Sequence, residues 1–232
     1  MSELNQMLFG IFPYIAISIF LLGSLVRFER EQYTWKSGSS QMLRRRGMTW
    51  ASNLFHVGIL GLLAGHAVGL LTPIAVFDAI GVSHSAKQML AIVAGGIFGV
   101  MCLVGLAMLI WRRLTDPRIR ATSSPMDIFI LLLILAQLLL GLITIPFSLA
   151  HSDGSTMILF MEWAQRIVTF RSGAAELIEG VPVVFKLHIL FGMILFVVFP
   201  FSRLVHIWSA PIGYVGRRYQ IVRTRRGRAT IS

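Results

Sequence analysis

Five stretches of this chain are apolar for long enough to cross a bilayer, and nothing else in the sequence limits its fold as much. They run approximately Met7–Val26, Thr49–Leu71, Met89–Trp111, Ile128–Ala150 and Val181–Trp208. A hydrocarbon core about 30 Å thick takes about 20 helical residues, so each stretch suffices. The expected fold is all-α: a polytopic integral membrane protein with five transmembrane helices. The fifth stretch is the long one. As a straight helix it would measure about 42 Å, so it must tilt, kink or project, and Pro200 is the expected kink.

Composition agrees with this class. Hydrophobic residues make up 56% of the chain and charged residues 13%, where a soluble domain carries roughly 25% charged. The first apolar run ends at an arginine-rich loop with no small-residue cleavage site before it, so it reads as a retained span. The single cysteine, Cys102, lies among apolar neighbours. That excludes an internal disulfide, a cysteine-ligated iron–sulfur cluster and a thioether haem attachment.

The net charge of +11 points to topology rather than to nucleic acid. Of the 21 Lys and Arg, all but Lys87, Arg166, Arg171 and Lys186 fall in the loops after the first and third spans, near the end of the fifth, or in the tail. Positive charge stays inside, which sets the N-terminus outside (periplasmic) and the C-terminus in the cytoplasm. The tail from about residue 209 is basic, with a secondary role toward anionic lipid or an acidic partner. It is not expected to be rigid beyond about Gln220.

Two histidines, His56 and His66, lie in the second span, and two more, His188 and His206, lie in the fifth. Histidine inside a membrane is expensive and usually functional. His56 and His66 stand about 15 Å apart along a helix, so they cannot share one metal ion. In antiparallel spans of the expected orientation, His66 is level with His188 toward the outside, and His56 with His206 toward the cytoplasm. Two bis-imidazole sites at two depths are what a pair of low-spin b haems needs. A mismatch accompanies this pairing: His188 and His206 would be about 27 Å apart on one helix, although 18 residues at 100° return them to one face. Each imidazole should give its second N–H to a carbonyl or water, which fixes the tautomer. A lone membrane histidine as readily bonds a neighbouring helix; two pairs at matching depths favour ligation.

Gly61, Gly65 and Gly69 follow at helical spacing in the second span, and Gly95 and Gly99 in the third. They let either a helix or a flat porphyrin approach the backbone. His84 and His151 are read as solvated loop residues. Between the fourth and fifth spans, Met157–Phe170 carries Glu162, Gln165, Arg166 and Thr169 on one side and apolar residues opposite. That is an amphipathic interfacial helix, a plausible roof for a lateral opening or a simple loop anchor. Lys87, just before the third span and near the expected depth of His66, has two readings. It snorkels to the interface, or it donates a hydrogen bond to a quinone carbonyl beside the outer haem.

The segments Gln32–Trp35, Ser39–Leu43, Ala51–Pro73, Thr144–Ser148 and Phe199–Trp208 closely resemble the γ subunit, the cytochrome b membrane anchor, of bacterial respiratory nitrate reductase. The similarity covers essentially the whole chain, as one dihaem membrane domain over residues 1–232. The resemblance implies a multi-pass protein of the bacterial cytoplasmic (inner) membrane. It further implies quinol oxidation and association with an iron–sulfur (β) and a molybdenum-containing catalytic (α) subunit. It implies two haems b, ligated by His56 with His206 and by His66 with His188, with Arg203 among the cofactor-binding residues. It also implies a quinol site at Gly65, His66 and Lys87. Two other readings remain: a related cytochrome b of another reductase, such as a heterodisulfide-reductase-like complex, or a haem-free anchor or transporter using the histidines as a proton relay.

Overall fold

The structure is a computed structural model that describes residues 3–150, 153–210 and 216. His151 and almost all of the basic tail lie outside the described residues. Among those described, every regular element is helical and none is a strand. Five helices are long and apolar enough to cross a membrane: span 1 Glu3–Arg30, span 2 Met48–Leu71, span 3 His84–Thr115, span 4 Pro125–Ala150 and span 5 Val183–Phe201. Shorter helices cover Ile74–Ala79, Pro117–Ala121, Ser155–Val168 and Ala174–Ile178.

Spans 2 and 3 share the most extensive contact in the molecule, and glycine makes it possible. A Cβ on Gly58 would lie 2.5 Å from the backbone nitrogen of Cys102, and one on Gly105 would overlap the backbone of Phe55. Close backbone approach is how membrane helices gain dispersion energy where water supplies no hydrophobic drive. Around this pair, Cys102, Leu106, Ile130, Leu133, Ile134 and Leu138 form one buried cluster, with Phe191 and Ile194 of span 5 packed on it. A second cluster joins Phe9 and Ala16 of span 1 to Ala175, Ile178 and Met193.

The fifth stretch is interrupted at Pro200, where the sequence places a kink, but by a full break rather than a bend. Its α-helix ends at Val198, passes through a 3-10 turn at Phe199–Phe201, and breaks at Ser202, which is extended (φ −117°, ψ 178°). Pro200 lies in that turn and lacks an N–H to carry the helix on. The carbonyls of Pro200 and Ser202 instead accept from Arg27 Nη1 at 2.6 and 2.8 Å. A separate 3-10 segment, Arg203–Ser209, follows and doubles back. The Trp208 ring lies 6.2 Å from Phe199 and 5.3 Å from Phe20, whereas nine residues of straight helix would span about 13.5 Å. So His188 and His206 do not share one helix, and the 100° periodicity does not relate them. The straight-helix distance of about 27 Å between them therefore does not apply.

The other boundaries differ by a few residues. Span 3 starts earlier than expected because Ser83 caps it, its hydroxyl accepting from the Ala86 N–H at 3.2 Å. His84 and Lys87 therefore belong to its first turn rather than to the preceding loop.

Candidate functional site

His66 and His188 meet. Their ring centroids are 6.0 Å apart, with ring planes at 43°. Two imidazoles that bind one ion from opposite sides, through bonds of about 2.0–2.1 Å, need centroids about 6.3 Å apart. The tautomers suit ligation as well. His66 Nδ1 lies 2.7 Å from the Leu62 carbonyl and His188 Nδ1 lies 3.2 Å from the Gln137 carbonyl. A carbonyl only accepts, so each Nδ1 carries the proton and each Nε2 keeps its lone pair. Gly141 makes room for this arrangement, since a Cβ there would fall 2.9 Å from His188 Cε1.

His56 and His206 have the same preparation but not the same contact. His56 Nδ1 faces the Ser52 carbonyl at 2.7 Å, with the Ser52 hydroxyl at 3.2 Å; His206 Nδ1 faces the Arg203 carbonyl at 2.6 Å. The ring nearest His56 is Phe55, at 5.3 Å, rather than His206. Among the described residues no three or more His, Cys, Asp or Glu cluster as a polydentate metal site. Of the four histidines, His66 and His188 are placed so that together they could offer two imidazole nitrogens to one ion, a donor set of the kind haem iron takes.

The glycines now separate into two groups. Gly61 is filled by the Phe98 ring and Gly99 by Leu142, so these two serve helix packing. Gly65, Gly69 and Gly95 have no heavy atom within 4 Å of an added Cβ. By the antiparallel register that sets Gly58 on Cys102, Gly65 stands level with Gly95. Open backbone beside His66 is the kind of cradle a flat macrocycle fills.

Lys87 is 6% exposed and does not snorkel. Its ammonium lies against Met161 Sδ and 3.9 Å from the centroid of the Phe77 ring. Met161 belongs to the amphipathic helix Ser155–Val168, which the sequence places at Met157–Phe170. That helix is stapled at two further points. Trp163 Nε1 donates to the Phe9 carbonyl at 3.0 Å, where a π-helical turn over Met7–Ile11 interrupts the ordinary helical ladder. Gln165 Nε2 donates to the carbonyls of Leu70 at 3.2 Å and Thr72 at 3.0 Å, closing the C-terminus of span 2. By the same register Lys87 faces the end of span 2, seven residues or roughly 10 Å beyond His66.

At the arginine-rich end the cations grip backbone. Arg112 donates to the carbonyls of Ser40 and Arg46 at 3.1 and 3.0 Å and to that of Arg44. Arg203 Nε donates to Asp127 Oδ1 and its Nη2 to the Gly38 carbonyl, both at 2.9 Å. The sequence leads to a carbonyl or water behind each imidazole and to Gln165 on a polar helix face. It does not name the four carbonyls or the partners of Gln165, and it does not single out Gly141. Only Gly141, a glycine inside a long apolar helix, carried a readable signal.

Comparison with known proteins gives matches over nearly the whole chain. A family model described as nitrate reductase gamma subunit matches residues 5–225. The respiratory nitrate reductase 1 gamma chain of Escherichia coli K12 is 52% identical over 97% of this chain and 100% of its own length. The respiratory nitrate reductase 2 gamma chain of the same organism is 54% identical over 96% and 98%. The nitrate reductase gamma chain of Bacillus subtilis 168 is 39% identical over 95% and 99%.

Proposed function

The chain belongs to the nitrate reductase gamma-subunit family, and from that premise we propose that it is the membrane cytochrome b subunit of a respiratory nitrate reductase. It oxidises quinol near the periplasmic face of the inner membrane. Two haems b, an outer and an inner one, would supply the one-electron chemistry that links quinol to a cytoplasmic iron–sulfur (β) subunit, with nitrate reduction on the α subunit. The whole chain, residues 1–232, serves as one dihaem domain with a cytoplasmic tail.

The carrying observation is the His66–His188 pair, two imidazoles 6.0 Å apart with both Nδ1 atoms tied to carbonyls. Haem supplies one-electron redox chemistry when bound; the residues supply ligation and orientation. His66 and His188 would hold the outer iron, and His56 and His206 the inner one. The carbonyls of Leu62, Gln137, Ser52 and Arg203 keep the four rings in one tautomer and raise their basicity. Gly65 and Gly95 leave the flat space beside His66. Lys87 is a buried cation beneath the interfacial helix, poised to donate a hydrogen bond to a quinone oxygen in a dry setting, where such a bond is strong. Its burial favours this reading over snorkelling.

The test is a reduced-minus-oxidised spectrum with haem quantitation, expected at two per chain. His66→Ala and His188→Ala should delete one spectral component, and His56→Ala and His206→Ala the other. A haem-free preparation would favour the proton-relay anchor. Loss of the same component from His56→Ala and His188→Ala would refute the pairing. Co-purification with a nitrate-reducing molybdoenzyme separates this reading from another reductase's cytochrome b.

A further inference from the structure

His206 rides on a segment that cannot hold itself in place. Arg203–Ser209 is a seven-residue 3-10 helix, and such runs beyond three or four residues are uncommon because their hydrogen bonds are poor. The break at Ser202 detaches it from span 5. Its ends are fixed from outside. Arg27 holds the Ser202 carbonyl at 2.8 Å, and Trp35 Nε1 donates to Ser209 Oγ at 2.6 Å.

Between those ends, the carbonyl that accepts from His206 Nδ1 belongs to Arg203. The Arg203 side chain is clamped by Asp127 Oδ1 at 2.9 Å and the Gly38 carbonyl at 2.9 Å. Gly38 is left-handed (φ +57°), and a Cβ there would run into the Arg203 guanidinium, so the clamp closes only on glycine. Asp127 is itself rigid. Its N–H donates to Ser124 Oγ at 3.2 Å, and its Oδ2 accepts from the Ser124 N–H at 3.0 Å, a reciprocal capping pair at the start of span 4. Arg113 Nη1 adds a second cation at 3.5 Å.

We propose that Asp127 is a positioning residue for His206. Acting through Arg203, it fixes from span 4 the carbonyl that orients the imidazole, and so sets the ligation and potential of the inner haem. This rests on the dihaem reading above. A ligand's hydrogen-bond partners tune the metal they do not touch, and losing one costs about 10–100-fold in metal affinity.

The experiment uses the chain assembled with its partner subunits in membranes. The low-spin signals of the two haems are titrated against potential in wild type, Asp127→Asn and Asp127→Glu. His206→Ala and His66→Ala identify which signal is which. In Asp127→Asn the signal that His206→Ala abolishes should fall about tenfold or shift in potential, while the His66 signal keeps its wild-type amount and potential. Asp127→Glu, which keeps the charge, should recover part of it. An unchanged His206 signal in Asp127→Asn overturns the proposal. Equal loss of both signals also overturns it, marking Asp127 as a general folding residue. Absence of both signals from wild type would instead defeat the dihaem reading.

Discussion

Replacing Gly141 with alanine should empty or weaken the outer site while leaving the bundle standing. The added Cβ would lie 2.9 Å from His188 Cε1, where carbon pairs settle at about 3.5–4.0 Å. The ring must retreat by roughly 0.6–1.1 Å. That retreat strains or breaks its 3.2 Å bond to the Gln137 carbonyl and disturbs the 6.0 Å spacing to His66. Overpacking costs about 1–3 kcal/mol and the lost hydrogen bond about 0.5–1.5. Alanine in place of glycine returns about 1 kcal/mol of helix propensity. The balance is about 2 kcal/mol against the ligating geometry, near 30-fold in occupancy. The chain can relieve most of it by swinging His188 away, so stability should change little. The assay is haem per chain and the reduced-minus-oxidised spectrum, with Gly96→Ala as control. There the nearest atom to an added Cβ is Ile145 Cδ1 at an ordinary 3.9 Å. Two haems per chain with wild-type spectra in Gly141→Ala would refute the reasoning.

Three further tests follow from the same site. Gly65→Ala and Gly95→Ala meet no protein atom, so each should hold or slightly raise thermal stability while lowering haem content; unaltered haem content would show that no flat group lies there. Lys87→Ala should leave both haems in place and slow quinol-dependent reduction roughly ten- to hundredfold, the effect of about 1.5–3 kcal/mol from a charged hydrogen bond, with Lys87→Arg recovering only part; unchanged quinol-dependent reduction would remove Lys87 from the site. Gln165→Ala uncaps span 2 and should lower the thermal midpoint in detergent by the cost of unsatisfied carbonyls, about 1–3 kcal/mol, with no loss counting against that role.

Much of this architecture is visible in the sequence because membrane constraints act locally. Hydropathy alone marks the five spans, and polar spacing alone marks the interfacial helix to within two residues at each end. The His66–His188 pairing follows from counting residues between the ends of antiparallel spans. At the end of span 5 Pro200 marks a kink but not the full break, because Leu204, Val205, Ile207 and Trp208 continue the apolar run past it. What stops the helix there is partly distant: Arg27 takes carbonyls 173 and 175 residues away. Gln165 misleads for a similar reason. Its helical spacing assigns it to a polar face, whereas its amide reaches the end of span 2. Lys87 reads as an interfacial lysine until the helix carrying Met161 is seen to cover it.

The doubling back at Ser202 also has a consequence for the order in which the molecule is made. Arg27, Trp35, Gly38 and Asp127, which grip Arg203–Ser209, all leave the ribosome before it, and so do all five spans. The segment bearing His206 therefore meets partners that have all been synthesised before it. A nascent chain halted after Phe201 already contains His66, His188 and Gly141, and so the means to mature one site. On the proposed ligation the other site waits for His206 itself, so the two centres would become separable in time.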